Sequence, residues 1–382
     1  MGNLRRAGIA AAATLAPLGL AYRFALAYRV RAGFPRRNPP GITPAEIGLP
    51  YEPLVIESAG LPLPAWFIPA RGGLPGPGIV LVHGWESARD RTLPMVVFLH
   101  AAGFHCLTFD VRAHGTNPAD AMPLSAGEFG ADALAAFRAL MERPEVTAGA
   151  ISGHSMGAIG AILAAAADPR VAALVATSGP ADPYRLTRET FHLARLPIPD
   201  PIAYPLAWLT TRVYLKPRGH RVDDVSAATA IARYAGPILL AHGSDDAVVP
   251  PGHMDRLAAA ARSTRPYRPA EAGPPAADVE TLLVEGGQHS WLYEDPGYRR
   301  TVAAFLARSL GGPFDPETAA ELAGATASTR IPDGETAFTA VSGKTGGLRT
   351  LAELALPGAT KPRVEPEGAA LPATYPAPGG EP

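Results

Sequence analysis

Five residues, Gly153-His154-Ser155-Met156-Gly157, constrain this chain more than any other segment. They follow an apolar run at Ala148–Ser152 and open an alanine-rich stretch that reaches Ala167. A strand that turns into a helix within this spacing needs glycine on both sides of the serine. A Cβ at either position would collide with the neighbouring strand or helix. The turn holds the serine in a strained backbone conformation and lifts its hydroxyl above the end of a sheet. It also aims the Met156 N–H, the first of its helix, at the same point. The competing reading is a glycine-rich turn with no chemistry, and the companions of Ser155 elsewhere in the chain decide between the two.

The surrounding pattern supplies the sheet. Leu54–Glu57 and Ala65–Ile68 read as an antiparallel opening pair. Ile79–His83 and Phe104–Asp110 are continuous apolar runs, as strands buried on both faces are. Ala148–Ser152, Val171–Thr177, Pro237–His242 and Glu280–Val284 are further strands. Helical stretches fall between or after them at Arg91–Ala102, Phe129–Glu142, Ser155–Ala167, Met254–Arg262 and Gly297–Leu310. Strands alternating with helices imply parallel βαβ units with helices on both faces. Gly179–Tyr234 interrupts the rhythm with seven prolines among 56 residues, and with Phe191, Tyr204, Trp208 and Tyr214. It is too long for a loop and reads as a small helical cap. Ser263–Asp278 reads as a surface insertion.

Both ends differ from this middle. Arg5 and Arg6 precede Ala7–Tyr22, sixteen residues without a charge, and Arg23 interrupts before Phe24–Tyr28. A spanning helix needs about 20 apolar residues and a signal peptide roughly 7–15. Ala25-Leu26-Ala27 fits a signal-peptidase site, whereas Arg29, Arg31, Arg36 and Arg37 favour retention of an uncleaved anchor. An anchor over residues 7–28 is the expectation, with export after cleavage, or a plain amphipathic helix, as alternatives. Gly312–Pro382 holds ten glycines and ten prolines in 71 residues and reads as a disordered tail with a short helix at Leu348–Leu356. Its removal is expected to leave activity and melting temperature nearly unchanged. The resulting division is 1–41 for the N-terminal segment and spacer, 42–311 for a catalytic domain with its cap at 179–234, and 312–382 for the tail.

A serine hydroxyl needs a base, and the base an orienting acid. His289 stands in Gly286-Gly287-Gln288-His289-Ser290, after the strand ending at Val284. An acid lies in His242-Gly243-Ser244-Asp245-Asp246-Ala247-Val248-Val249-Pro250, after the strand ending at His242. Three strand ends thus present Ser, Asp and His, and open α/β sheets gather their functional groups there.

With His83-Gly84-Trp85, Phe109–Gly115 (FDVRAHG), GHSMG, HGSDDAVVP and GGQHS in this order, the chain resembles the α/β-hydrolases from about residue 51 to 310. The resemblance implies an eight-stranded, mostly parallel sheet with the second strand antiparallel. It implies Ser155 as nucleophile, His289 as base and Asp246, rather than the neighbouring Asp245, as acid. It also implies an oxyanion hole made by the N–H groups of Met156 and Trp85, whose indole would narrow the acyl pocket. More narrowly, Gly48–Glu52 (GLPYE) and the N-terminal segment resemble bacterial serine hydrolases with a membrane segment.

The remaining candidates take structural readings. His83 and Asp110 support loops, His154 points away from the nucleophile, and His253 lies on the surface. Arg112-Ala113-His114-Gly115 carries one methyl more than the common R-G-H-G. Cys106, the single cysteine, is a small buried hydrophobe and excludes an intrachain disulfide. A net charge of −1 gives no support for nucleic-acid binding. No metal motif and no dinucleotide fingerprint is present, so no cofactor is expected. The expected activity is hydrolysis of a small-molecule or lipid-like carboxylic ester or thioester through an acyl-enzyme. A peptidase or amidase on the same residues is one alternative, and a non-catalytic membrane-anchored binding protein is another.

Overall fold

Apolar runs bounded by turn residues become eight strands of one sheet: β1 (Glu52–Ser58), β2 (Leu61–Ile68), β3 (Gly76–Val82), β4 (His105–Phe109), β5 (Val146–His154), β6 (Val171–Thr177), β7 (Ile238–Gly243) and β8 (Val279–Val284). The computed structural model describes residues 2–264, 279–328 and 331, with side chains from Ala16 onward. The strand order is β1-β2-β4-β3-β5-β6-β7-β8. β2 runs antiparallel to both neighbours, and β4 to β8 with β3 are mutually parallel. Every residue of β3 is buried, which is why its sequence is apolar without alternation.

Helices cover both faces. On one, α3 (Ala126–Met141), α4 (Met156–Ala167), α7 (Ala227–Ile231) and α8 (Gly252–Ser263) enclose a core containing Phe109, Phe129, Phe137 and Ile162. On the other, α2 (Leu93–Ala101), α9 (Pro296–Leu310) and α10 (Pro316–Ala325) enclose Phe98, Phe104, Tyr298 and Phe305. Cys106 is buried in that second core, and burial pushes its thiol pKa up. Helix α3 starts three residues before the expected Phe129. Ser125 and Glu128 form a capping box there, with Ser125 N donating to Glu128 Oε2 at 2.8 Å.

The cap is smaller than the 179–234 excursion. It consists chiefly of α5 (Pro183–Leu193) and α6 (Asp200–Leu215), while α7 belongs to the main core. Residues 2–32 form one helix, α1 (Gly2–Ala32), whose C-terminal half packs along α6. Phe24, Ala27, Phe191, Ala203 and Ala207 make a third apolar cluster of their own. The expectation of a membrane anchor at residues 7–28 gains no support from this packing. No helix among the described residues is long and apolar enough to cross a membrane. The uncharged run is alanine-rich and shorter than a span, Arg23 ends it, and the residues after Arg23 are committed to the cap.

The tail boundary also moves. α10 lies within the segment read as disordered, yet it packs on α9 with Ala319 and Ala323 buried. The Arg299 guanidinium grips its C-terminal end, donating to the carbonyls of Ala323 (3.2 Å), Gly324 (3.1 Å) and Thr326 (3.1 Å). Truncation at Gly312 therefore strips a packed helix from α9, and an unaltered melting temperature is no longer the expectation. The possible helix at Leu348–Leu356 and nearly all of the Ser263–Asp278 insertion lie outside the described residues.

Two histidine–carboxylate contacts fasten the cap to the core. His253, expected on the surface, is buried instead: its Nε2 lies 2.7 Å from Glu189 Oε2 on α5, and its Nδ1 accepts from Ala181 N at 2.9 Å. His220, beyond α6, meets Glu128 of α3 at 2.8 Å. The Glu128 contact raises the His220 pKa above its ordinary 6.5. Burial of Glu128 opposes its ionisation, but the hydrogen bonds from His220 and Ser125 outweigh that and lower its pKa below 4.5. A raised histidine stabilises below its ordinary value and loses this as pH rises through the folded pKa. A lowered carboxylate stabilises above its ordinary value and loses this as pH falls. The pair therefore contributes fully between pH 4.5 and 6.5. Solvent reaches His220, so the contribution stays below about 1 kcal/mol. The urea midpoints of wild type and His220→Gln are expected to differ at pH 6 and to converge at pH 9, whereas an equal gap at both would exclude a charge-linked contact.

Candidate active site

Ser155 occupies the tight turn between β5 and α4 with φ 56° and ψ −121°, a conformation that L residues rarely adopt. The turn is packed to backbone contact. A Cβ on Gly153 would lie 2.1 Å from the Gly157 carbonyl oxygen, and one on Gly157 would lie 2.3 Å from that of Val82. Ser155 N donates to Thr177 O at 2.9 Å, which ties the turn to β6.

The three strand-end side chains meet. His289 Nε2 is 3.0 Å from Ser155 Oγ, and His289 Nδ1 is 2.8 Å from Asp246 Oδ2. Asp246 is buried, and burial opposes its ionisation. Hydrogen bonds from His242 and His289 outweigh this and hold its carboxyl well below the usual carboxylate range. Its second oxygen accepts from Val248 N (2.9 Å) and Val249 N (2.8 Å). An ionised carboxylate only accepts, so His289 Nδ1 carries the proton and Nε2 turns its lone pair to the Ser155 hydroxyl. Asp245 is exposed and takes a hydrogen bond from Ser244 Oγ at 3.0 Å instead.

The loops that carry Asp246 and His289 are built against each other, a feature the sequence reading missed. A Cβ on Gly243 would lie 2.2 Å from Gly287 O, and Asp245 N donates to Gly287 O at 2.9 Å. The glycine in each motif was the available signal. His154 was also underrated. Its Nε2 is 2.7 Å from His289 O, and burial lowers its pKa to about 4. It is therefore neutral, with its Nε2–H available to hold the histidine loop from below.

The strip Gly84-Trp85 lies over the serine: a Cβ on Gly84 would be 3.4 Å from Ser155 Cβ. Among the described residues no protein acceptor takes the N–H of Trp85 or of Met156. The Trp85 indole stacks on Phe129 (centroids 6.2 Å, 23°) and forms one side of the cavity above Ser155. His83 supports this strip, accepting from Val111 N at 3.0 Å, and burial lowers its pKa to about 4. Ala113 keeps a left-handed backbone (φ 55°), so its extra methyl is carried as strain. Asp110 is paired with Arg89 and takes Arg89 N at 2.8 Å.

A cavity of about 400 Å³ opens over Ser155 between the sheet and the cap. Ile159, Leu186, Leu193, Tyr214, Leu215 and Val249 contribute to its walls. Among the described residues no Asp, Glu, Lys or Arg lines it.

An eight-stranded, mostly parallel sheet with helices on both faces, and a serine, a histidine and an aspartate at three strand ends, define a class of fold and site. A model of the alpha/beta hydrolase family matches residues 79–304, and the chain belongs to that family. Two uncharacterized proteins of Mycobacterium tuberculosis, strains CDC 1551 / Oshkosh and H37Rv, are each 31% identical over 217 residues, covering 56% of this chain and 68% of theirs. The solved structure of the Pyrococcus furiosus esterase Pf2001 is 23% identical with a TM-score of 0.55, covering 72% of this chain and 100% of that one. A Pyrococcus horikoshii acylaminoacyl peptidase is 17% identical with a TM-score of 0.50, covering 71% of this chain and 44% of that one.

Proposed function

We propose that the protein is a serine hydrolase that cleaves carboxylic esters or thioesters with apolar acyl groups. The observation that carries the reading is the hydrogen-bonded run Ser155–His289–Asp246 at the floor of an uncharged, apolar cavity. Ser155 Oγ attacks the acyl carbonyl as His289 Nε2 takes its proton. The tetrahedral oxyanion is received by the N–H groups of Trp85 and Met156, each worth roughly 3–4 kcal/mol in the transition state. The oxyanion collapses, and the C–O or C–S bond breaks as His289 returns the proton to the leaving alcohol or thiol. Water then attacks the acyl-enzyme through the same groups and releases the acid and free Ser155. Asp246 stays ionised throughout and stabilises the transient imidazolium. An apolar chamber without a charged anchor favours a hydrocarbon acyl chain over a charged one.

The test is hydrolysis of p-nitrophenyl esters from two to sixteen carbons, beside labelling of Ser155 with a fluorophosphonate. Labelling and turnover that rises beyond the acetate are the expected results. A folded protein that neither labels nor turns over any ester would remove the reading. Labelling without ester turnover would turn attention to a peptide or amide substrate.

A further inference from the structure

The cavity over Ser155 is not closed by the sheet and cap alone. Tyr28 and Ala32, in the last two turns of α1, line it together with Ser155 and His289. Their position is built. The Tyr28 hydroxyl lies 2.7 Å from Thr190 Oγ1 on α5. Thr190 gives its own proton to Thr187 O at 2.6 Å, so Tyr28 is the donor. The Tyr28 ring packs edge-on to Phe191 at 5.7 Å and lies 6.2 Å from Tyr214. Arg29 Nη1 donates to Val213 O at 3.1 Å, and Tyr214 Oη donates to Leu124 O at 2.5 Å. The helix end is thereby held to α6, and α6 to the core.

The groups that line this side are neutral. Leu193, Tyr214 and Leu215 share the lining with Tyr28 and Ala32, the hydroxyls of Thr187, Thr190 and Thr211 are engaged within the protein, and among the described residues no cation waits there for a carboxylate or phosphate at the end of a chain. Burial pushes the Tyr28 phenol up to about 12, so it too is uncharged. We propose that the last two turns of α1 form the cap-side wall of an acyl-chain subsite and that Tyr28 sets the longest chain accepted. The ligand class is an unbranched hydrocarbon acyl group of medium or greater length. This rests on the reading of Ser155 as the nucleophile of an ester hydrolase.

The experiment compares kcat/KM for p-nitrophenyl hexadecanoate and octanoate in wild type, Tyr28→Ala, Tyr28→Trp and Ala32→Leu, each first shown to melt cooperatively. Tyr28→Ala lengthens the chamber and is expected to raise the hexadecanoate-to-octanoate ratio about tenfold or more, the scale on which an apolar pocket discriminates added methylenes. Tyr28→Trp and Ala32→Leu shorten it and are expected to lower the ratio. Leucine is nearly as good a helix former as alanine, so Ala32→Leu reports on the wall even if the Tyr28 variants fold poorly. Folded variants that hydrolyse esters with the wild-type ratio would overturn this inference and leave the proposed function standing. A wild type that hydrolyses no ester and takes no fluorophosphonate would sink both.

Discussion

Ser155→Ala is expected to lower kcat by about 10⁴–10⁶ while the protein keeps its fold. The reason is local. Among the described residues the Ser155 hydroxyl is the hydrogen-bond partner of His289 Nε2, at 3.0 Å, and its removal takes the nucleophile away. The residual rate would come from Trp85 and Met156 polarising a bound carbonyl for attack by water. Alanine at φ 56° inherits strain that serine already carries, so the melting temperature should stay near that of the wild type. Steady-state turnover of the best p-nitrophenyl ester checks this, and activity above about one tenth of wild type would exclude Ser155 as nucleophile.

Arg89→Met is expected to give the largest loss of stability. The Arg89 guanidinium pairs with Asp110, and both side chains are almost wholly buried (4% and 0% exposed). Asp110 also takes Arg89 N and Thr116 N, at 2.8 and 3.0 Å, so it is seated at the end of β4 whether or not its counter-charge is present. Removing one partner of a buried ion pair costs about 3–5 kcal/mol. That corresponds to roughly 10 °C in melting temperature for a domain of this size. Burial already raises the Asp110 pKa, with Arg89 opposing it. A carboxylate with a raised folded pKa costs stability as pH rises through that pKa, and removing Arg89 strengthens the effect. The deficit of Arg89→Met should therefore be smaller at pH 5 than at pH 8. Thermal melts at both values read it, and melting within about 2 °C of wild type at pH 8 would show that the pair contributes little.

Much of the sheet was legible because its strands are apolar runs between clear turn signals. Ile79–His83 is buried throughout, and Val171–Thr177 is buried except at the half-buried Ala172. Ser155, Asp246 and His289 stood out because each sits in a glycine-flanked loop at the end of such a run. What escaped was whatever depends on distant partners. Composition made α10 resemble a linker, but Arg299 on α9, 24 residues before Ala323, supplies the hydrogen bonds that hold its C-terminal carbonyls. His253 follows two prolines like a surface residue, and only the approach of Glu189 and Ala181 makes its burial tolerable. The segment around Phe24 and Tyr28 has the hydropathy of a leader. Nothing near it in the chain announces that Phe191 and Thr190 will cover it.

That last contact sets a schedule for synthesis. Tyr28 leaves the ribosome 162 positions ahead of Thr190, its partner. At about 5–20 residues per second this interval is on the order of ten seconds or more. For all of it, Phe24 and Tyr28 lack the cap residues that bury them. The first helix made is thus among the last to dock, and the chamber above Ser155 gains its final wall only after the cap has emerged. Until then the apolar face of the helix is free to associate with other chains, which makes slow emergence of the cap the step most exposed to aggregation.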